Sequence, residues 1–173
     1  DFTKDKNGIT DKHPKMLVIC EDTDVSPEVI KFLIQSEGLV EEDVVQIDSD
    51  KKGSIPAREW DAIKQRLFNI DKHDKPKVIV SVLMLREGFD VNNICVIVPL
   101  RSTQALILLE QILGRGLRLM WREPEFQDAK EENRTRLLQK KEAPINYLDL
   151  LSIVEHPAFI EFTYNIVSEL AKR

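Results

Sequence analysis

The chain alternates between short continuous apolar runs and longer segments with apolar residues every three or four positions. "KMLVICED", Lys15 to Asp22, is a continuous run that ends in acids. Such a run predicts a strand buried on both faces, as in parallel sheets. "SPEVIKFLIQSEG" follows with helical spacing. Ser26 is placed to cap it, Pro27 to start it and Gly38 to close it. "VVQIDSD" (Val44 to Asp50), "KVIVSVLML" (Lys77 to Leu85) and "ICVIVPL" (Ile94 to Leu100) are further strand candidates. Residues 55–71 and 102–118 read as amphipathic helices, and "INYLDLLSIV" adds a possible short strand. "HPAFIEFTYNIVSEL" reads as a closing helix. The order β-α-β-α-β-loop-β-α predicts an α/β fold: a parallel sheet covered by helices.

Composition narrows the class. The chain has 173 residues, enough for one core, with 42% hydrophobic and 32% charged residues, an ordinary globular profile. No apolar stretch has the length of a membrane helix, and the chain begins without Met on a polar "DFTKDKNGITDKHPK", as expected of a piece of a longer protein. Cys20 and Cys95 lie in separate strand candidates and predict buried thiols rather than a disulfide or metal quartet. His13, His73 and His156 are far apart and read as surface residues, so no metal site is expected. Net charge is −5 and uneven: residues 1–50 hold 5 Lys+Arg against 13 Asp+Glu, residues 51–173 hold 20 against 17. Overall acidity argues against wholesale coating of nucleic acid. It leaves room for a local basic face, and residues 101–122 carry four arginines and one acid, Glu110.

In open α/β sheets ligands sit beyond the carboxyl ends of the strands, so the residues just after each strand carry most interest. These are Glu21 to Asp24, Asp48 to Lys52, "REGFD" (Arg86 to Asp90), and Arg101 with Ser102. Gly88 permits close backbone approach or a turn with positive φ, and Asp90 or Glu87 can accept from a ribose hydroxyl or an arginine. A plain turn capped by Asp90 accounts for the same residues. In "QILGRGLR", Gln111, Arg115 and Arg118 are spaced four and three apart and share one helical stripe. Beside it Ala105, Leu108, Leu109, Ile112 and Gly116 form an apolar stripe. Two aligned guanidiniums suit a multiply charged anion such as a nucleotide polyphosphate. Surface ion pairs with Asp90 or Glu110 are the structural alternative.

Taken together, "SVLMLREGFDV", "ICVIVPL" and "LLEQILGRGLR" resemble motifs V and VI of superfamily 2 helicases and translocases. Gly88 and Asp90 meet the Gly-x-Asp of motif V. Gln111, Gly114, Arg115 and Arg118 meet the Gln-x-x-Gly-Arg-x-x-Arg of motif VI. "REGFDVNN", "QILGRGLR" and "SIVEHPAF" look most like the helicase (Res) subunit of type III restriction enzymes. The resemblance implies a second RecA-like domain of the P-loop NTPase type. Its core would span residues 15–118, after a polar leader (1–14). A charged helical insertion or arm (119–142) and a C-terminal strand and helix (143–173) would follow.

The resemblance further implies that ATP with Mg²⁺ is bound by an N-terminal RecA-like domain of the same protein. Arg118 would be the arginine finger, Arg115 a second phosphate contact or the partner of Asp90, and Gln111 the residue orienting the attacking water. Gly88, Asp90, Glu87 and Gly114 would line the nucleotide. Thr23, Ser49, Lys51, Lys52 and Ser81 would contact the backbone of double-stranded DNA. A modification (methyltransferase) subunit and a bacterial cytoplasmic location are also implied. The chain has no Gly-x-x-x-x-Gly-Lys-Ser/Thr loop and no Asp-Glu-x-His/Asp motif, so on its own it is expected to be inactive. Ser81 lies seven residues before Gly88, further than motif V usually places its hydroxyl. Two alternatives remain open: an inactive RecA-like scaffold that binds protein or nucleic acid, and a small-molecule enzyme, for which no nucleophile elbow or dinucleotide loop is present.

Overall fold

The computed structural model describes residue 4 and residues 12–48, 70–82, 93–100 and 120–154. Five strands form one parallel sheet: β1 (Lys15–Cys20), β2 (Val44–Asp48), β3 (Val78–Val82), β4 (Ile94–Pro99) and β5 (Ser152–Ile153). Their spatial order is β2-β3-β1-β4-β5. The fold class is therefore the one expected from the apolar runs, and the arrangement is consistent with a RecA-like domain. The three expected helices at 55–71, 102–118 and 156–170 lie almost wholly outside the described residues.

Register explains why the runs are apolar throughout. Met16 pairs with Val78 and Val96, Leu17 with Ile79 and Ile97, and Val18 with Val80 and Val98. Alternate residues face opposite sides of a strand. One face carries Val18, Cys20, Val44, Val78, Val80 and Val82, which cluster with Leu33, Val29 and Ile30 of helix α1 (Val25–Gln35). The other face carries Leu17, Ile19, Val45, Ile47, Ile79 and Ile97, all 1% exposed or less. Both faces are thus removed from water, and each large aliphatic so buried stabilises the fold by roughly 1.5–3 kcal/mol.

Helix α1 does not begin as the sequence suggests. Ser26 is not its cap. The helix starts at Val25, and the Asp22 carboxylate accepts the backbone N–H groups of Asp24 (2.9 Å) and Val25 (3.0 Å). Ser26 is fully buried and its Oγ accepts from Gln46 Nε2 on β2 at 3.0 Å. Pro27 is still tolerated, because N–H groups of the first turn have no partner within the helix. Past the helix end, Gly38 takes φ +71°, the left-handed conformation in which glycine is least strained.

The amino edge of the sheet is a charged staple. Lys15 is 2% exposed, and its ammonium donates to the carbonyls of His73 (2.5 Å) and Asp74 (2.9 Å). Asp43, just before β2, is also buried. Its carboxylate accepts the Val40 N–H at 3.1 Å and lies 3.3 Å from the Lys77 ammonium. The Val40 N–H first, and then Lys77, hold the Asp43 carboxyl below its ordinary value; Lys75 does the same for Glu42. A carboxyl depressed by folding contributes stability that is present above its unfolded pKa, near 4, and is lost as pH falls through the folded value. Urea midpoints of the native chain should therefore decline as pH drops below about 4. Asp43→Asn should lower the midpoint at pH 7 and flatten that decline. An acid limb unchanged by the substitution would show that Asp43 is not a source of it.

Beyond β4 the chain forms a second layer of polar contacts. Helix α2 (Gln127–Arg134) runs on into π-helical turns at Thr135–Lys140. Asn133 is 2% exposed and its amide holds the returning loop. Nδ2 donates to the Asn146 carbonyl (2.9 Å), and Oδ1 accepts from Ile145 N (3.1 Å). Asp149 accepts the N–H groups of Met120 (2.8 Å) and Trp121 (3.2 Å) and pairs with Lys130 at 2.5 Å. Lys130 Nζ also donates to the Trp121 carbonyl.

Candidate functional site

Strand order decides where the motif segments begin. β3 and β4 are the two neighbours of β1. Residues 83–92, which contain Glu87, Gly88 and Asp90, leave the carboxyl end of β3. Residues 101–119, which contain Gln111, Gly114, Arg115 and Arg118, follow Leu100 at the carboxyl end of β4. The two segments therefore start on either side of β1 at one edge of the sheet. The chain leaves β1 toward β2 and leaves β4 toward β5. Adjacent strands with diverging connections make the switch point at which α/β sheets hold ligands. There the Leu100 N–H donates to the Ile19 carbonyl at 2.8 Å, so β4 stays paired to β1 at the rim.

The motif residues themselves, Glu87, Gly88, Asp90, Gln111, Gly114, Arg115 and Arg118, lie outside the described residues, as do Ser49, Lys51 and Lys52. Two of the nucleic-acid candidates are described. Thr23 is half-buried at the carboxyl end of β1, among exposed Glu21, Asp22 and Asp24. Ser81 is 2% exposed within β3, in register with Ile19 and Ile47. That places Ser81 inside the sheet layer and away from a surface that a phosphate backbone touches. The acids beside Thr23 repel a polyanion, so this corner draws DNA only if cations from neighbouring loops outweigh them.

Several other groups have structural employment. Trp121 is 4% exposed, which fits covering of the core rather than stacking on a base. Cys20 is buried; the Cys95 thiol is pushed up to about 11, by burial first and by the charge of Asp149 second. A thiol so placed is a poor nucleophile at neutral pH. His73 is exposed as expected, but His13 is half-buried, with its Nδ1 enclosed. Asn93, 2% exposed, donates to the His13 carbonyl and draws that residue against the sheet. Among the described residues no three His, Cys, Asp or Glu side chains group as metal ligands, and no helix is long and apolar enough to cross a membrane.

Sequence reasoning missed the anchoring roles of Lys15, Asn133 and Asp149. A lysine opening an apolar strand, an asparagine in a run of charges and a lone acid in "YLDLL" are the local signals. Each is ambiguous until its partner from a distant segment is known.

No family model matches this chain. No solved structure matches it either. Against the curated proteins it is 37% identical over 57 residues to the "Type I restriction enzyme EcoKI endonuclease subunit" of Escherichia coli (strain K12). The aligned stretch covers 33% of this chain and 5% of that subunit, so the chain matches about a twentieth of the relative's length. The relative is of the type I class, whereas the expectation from the sequence is a type III subunit. What the comparisons establish is a limited similarity, over a third of a parallel α/β chain, to a subunit of a restriction enzyme.

Proposed function

We propose that this chain is the second motor domain of an ATP-dependent DNA translocase from a restriction system, of the type III Res kind or a type I relative. The observation that carries the reading is positional. Two segments with the spacing of motifs V and VI leave strands β3 and β4, which flank β1 at one sheet edge. The similarity to a restriction-enzyme subunit supports the same assignment.

In this reading ATP and its Mg²⁺ are held by an N-terminal RecA-like partner domain, and this chain closes the cleft. Arg118 stabilises the charge that develops on the transferring γ-phosphoryl group, a large electrostatic effect in phosphoryl transfer. Arg115 is a second phosphate contact or pairs with Asp90, and Gln111 orients the attacking water. Gly88, Asp90, Glu87 and Gly114 approach the nucleotide. Thr23, Ser49, Lys51 and Lys52 serve the DNA backbone, in contacts that carry no sequence information. Ser81 is dropped from that set because of its burial. A modification subunit and the bacterial cytoplasm complete the proposal.

The test is reconstitution. The chain alone should release no phosphate from ATP. Joined to its N-terminal partner domain, it should turn over ATP, and duplex DNA should stimulate the rate. Two docked halves that stay silent with DNA would overturn the motor reading in favour of an inactive scaffold.

A further inference from the structure

The helix and loop at residues 123–147 divide by charge. From Glu123 to Glu132 there are five acids and one lysine; from Arg134 to Tyr147 there are four cations and one acid, Glu142. In the acidic half Glu123 is paired, while Asp128, Glu131 and Glu132 are exposed. Lys12 pairs with Glu123 at 2.7 Å, and Lys130 is committed to Asp149. In the basic half Arg136 is spent on structure. Its Nε donates to the Ala143 carbonyl at 3.0 Å, and its guanidinium lies 3.2 Å from Glu142. Arg134, Lys140 and Lys141 are exposed and make no ion pair among the described residues.

The loop that presents these cations is rigidly built. The N–H groups of Lys141 and Glu142 both donate to the Arg136 carbonyl, and Asn133 clamps Ile145 and Asn146. Tyr147 follows the clamp with 72% of its surface exposed. Lys141 sits at φ +58°, the left-handed position that ends the helix. Glycine or asparagine is least strained there. The helix dipole accounts for a cation in the last turn such as Lys140. It does not account for a lysine at the strained position beyond it.

From this we propose that Arg134, Lys140 and Lys141, with the exposed Tyr147 of the same returning loop, form a second contact for the phosphate backbone of DNA. The contact belongs to the loop that leads into edge strand β5, whereas the backbone candidates retained above follow β1 and β2. It rests on the DNA-motor reading for the identity of its polyanion. An otherwise acidic chain gains a short basic surface at which phosphates displace solvent ions. Unpaired cations on an ordered loop lose little freedom in doing so.

The test uses the 173-residue chain itself and a fluorescent duplex, read by anisotropy across salt concentrations. The double variant Lys140→Gln, Lys141→Gly should bind on the order of tenfold more weakly at 0.1 M salt. Its dependence of log affinity on log salt should be shallower by about 2. Lys141→Gly alone relieves the left-handed lysine, so its melting temperature should be unchanged or higher while binding falls. Lys31→Gln and Lys72→Gln, exposed elsewhere, should bind like the native chain. Equal affinity and salt slope in the double variant, or no binding by the native chain at low salt, would overturn the contact. Capture of an acidic protein at this loop with no DNA binding would overturn it as well. The motor reading stands or falls separately on reconstituted ATP hydrolysis.

Discussion

Arg118→Ala in the complete motor should lower DNA-stimulated ATP hydrolysis by about 10³–10⁵-fold, the range that an arginine finger contributes. The expectation follows from the motor reading proposed above, in which Gln111, Gly114, Arg115 and Arg118 resemble motif VI. A guanidinium brought to the γ-phosphoryl group acts where charge builds up in the transition state, so kcat should fall far more than ATP affinity. Arg118→Lys should restore little, because a point charge does not reproduce the planar fork of donors. Arg115→Ala should also lower the rate, with a larger change in nucleotide affinity if it grips phosphate in the ground state. Steady-state phosphate release with saturating duplex, alongside a melting curve for each variant, makes the measurement. Native turnover in folded Arg118→Ala would remove the finger from this residue.

Asp149→Ala should destabilise the chain by roughly 2–4 kcal/mol, because it removes one partner of a largely enclosed ion pair and the acceptor of two N–H groups. The carboxylate is 9% exposed and its Lys130 partner 14%. The same carboxylate accepts two successive N–H groups, Met120 and Trp121, which would be left without it. Asp149 sits at φ +49°, where aspartate and asparagine are better tolerated than most residues, so alanine adds strain. Asp149→Asn keeps the shape and should cost less. A double change that replaces both Lys130 and Asp149 with apolar residues should recover part of the loss, because no buried charge is then orphaned. Urea unfolding at pH 7 reads all three. Since whole domains are stable by only about 5–15 kcal/mol, the alanine variant should unfold at a markedly lower midpoint. A midpoint equal to the native one would show that the pair contributes nothing. The same carboxylate holds the chain at Met120 and Trp121 against Lys130 of α2.

The parallel sheet was legible because its strands are buried on both faces. "KMLVIC", "VIVSV" and "ICVIVP" are nearly continuous apolar runs, and that pattern has few other homes; "VVQID", with exposed Gln46, is the weaker case. The spacing of Gln111, Gly114, Arg115 and Arg118 is likewise a local property, readable without coordinates. Local chemistry misjudged Ser26, which resembles a cap but is taken by Gln46 from the next strand, leaving Asp22 to hold the helix start. Ser81 likewise could not be placed by local chemistry. A serine near a strand end is a surface residue or a core one according to what lies on both sides of it.

The sequence by itself therefore determined the strands, their parallel class and the candidate chemistry that follows them, because apolar burial and helical spacing act over a few residues. Tertiary structure alone decided the order β2-β3-β1-β4-β5. The segments after β3 and β4 thereby start at one edge of the sheet, on either side of β1. Tertiary structure also decided which polar groups are structural, since Lys15, Asp43, Asn133 and Asp149 each find their partners in other segments. Pairing over such distances depends on how the whole chain closes, and no local pattern encodes it.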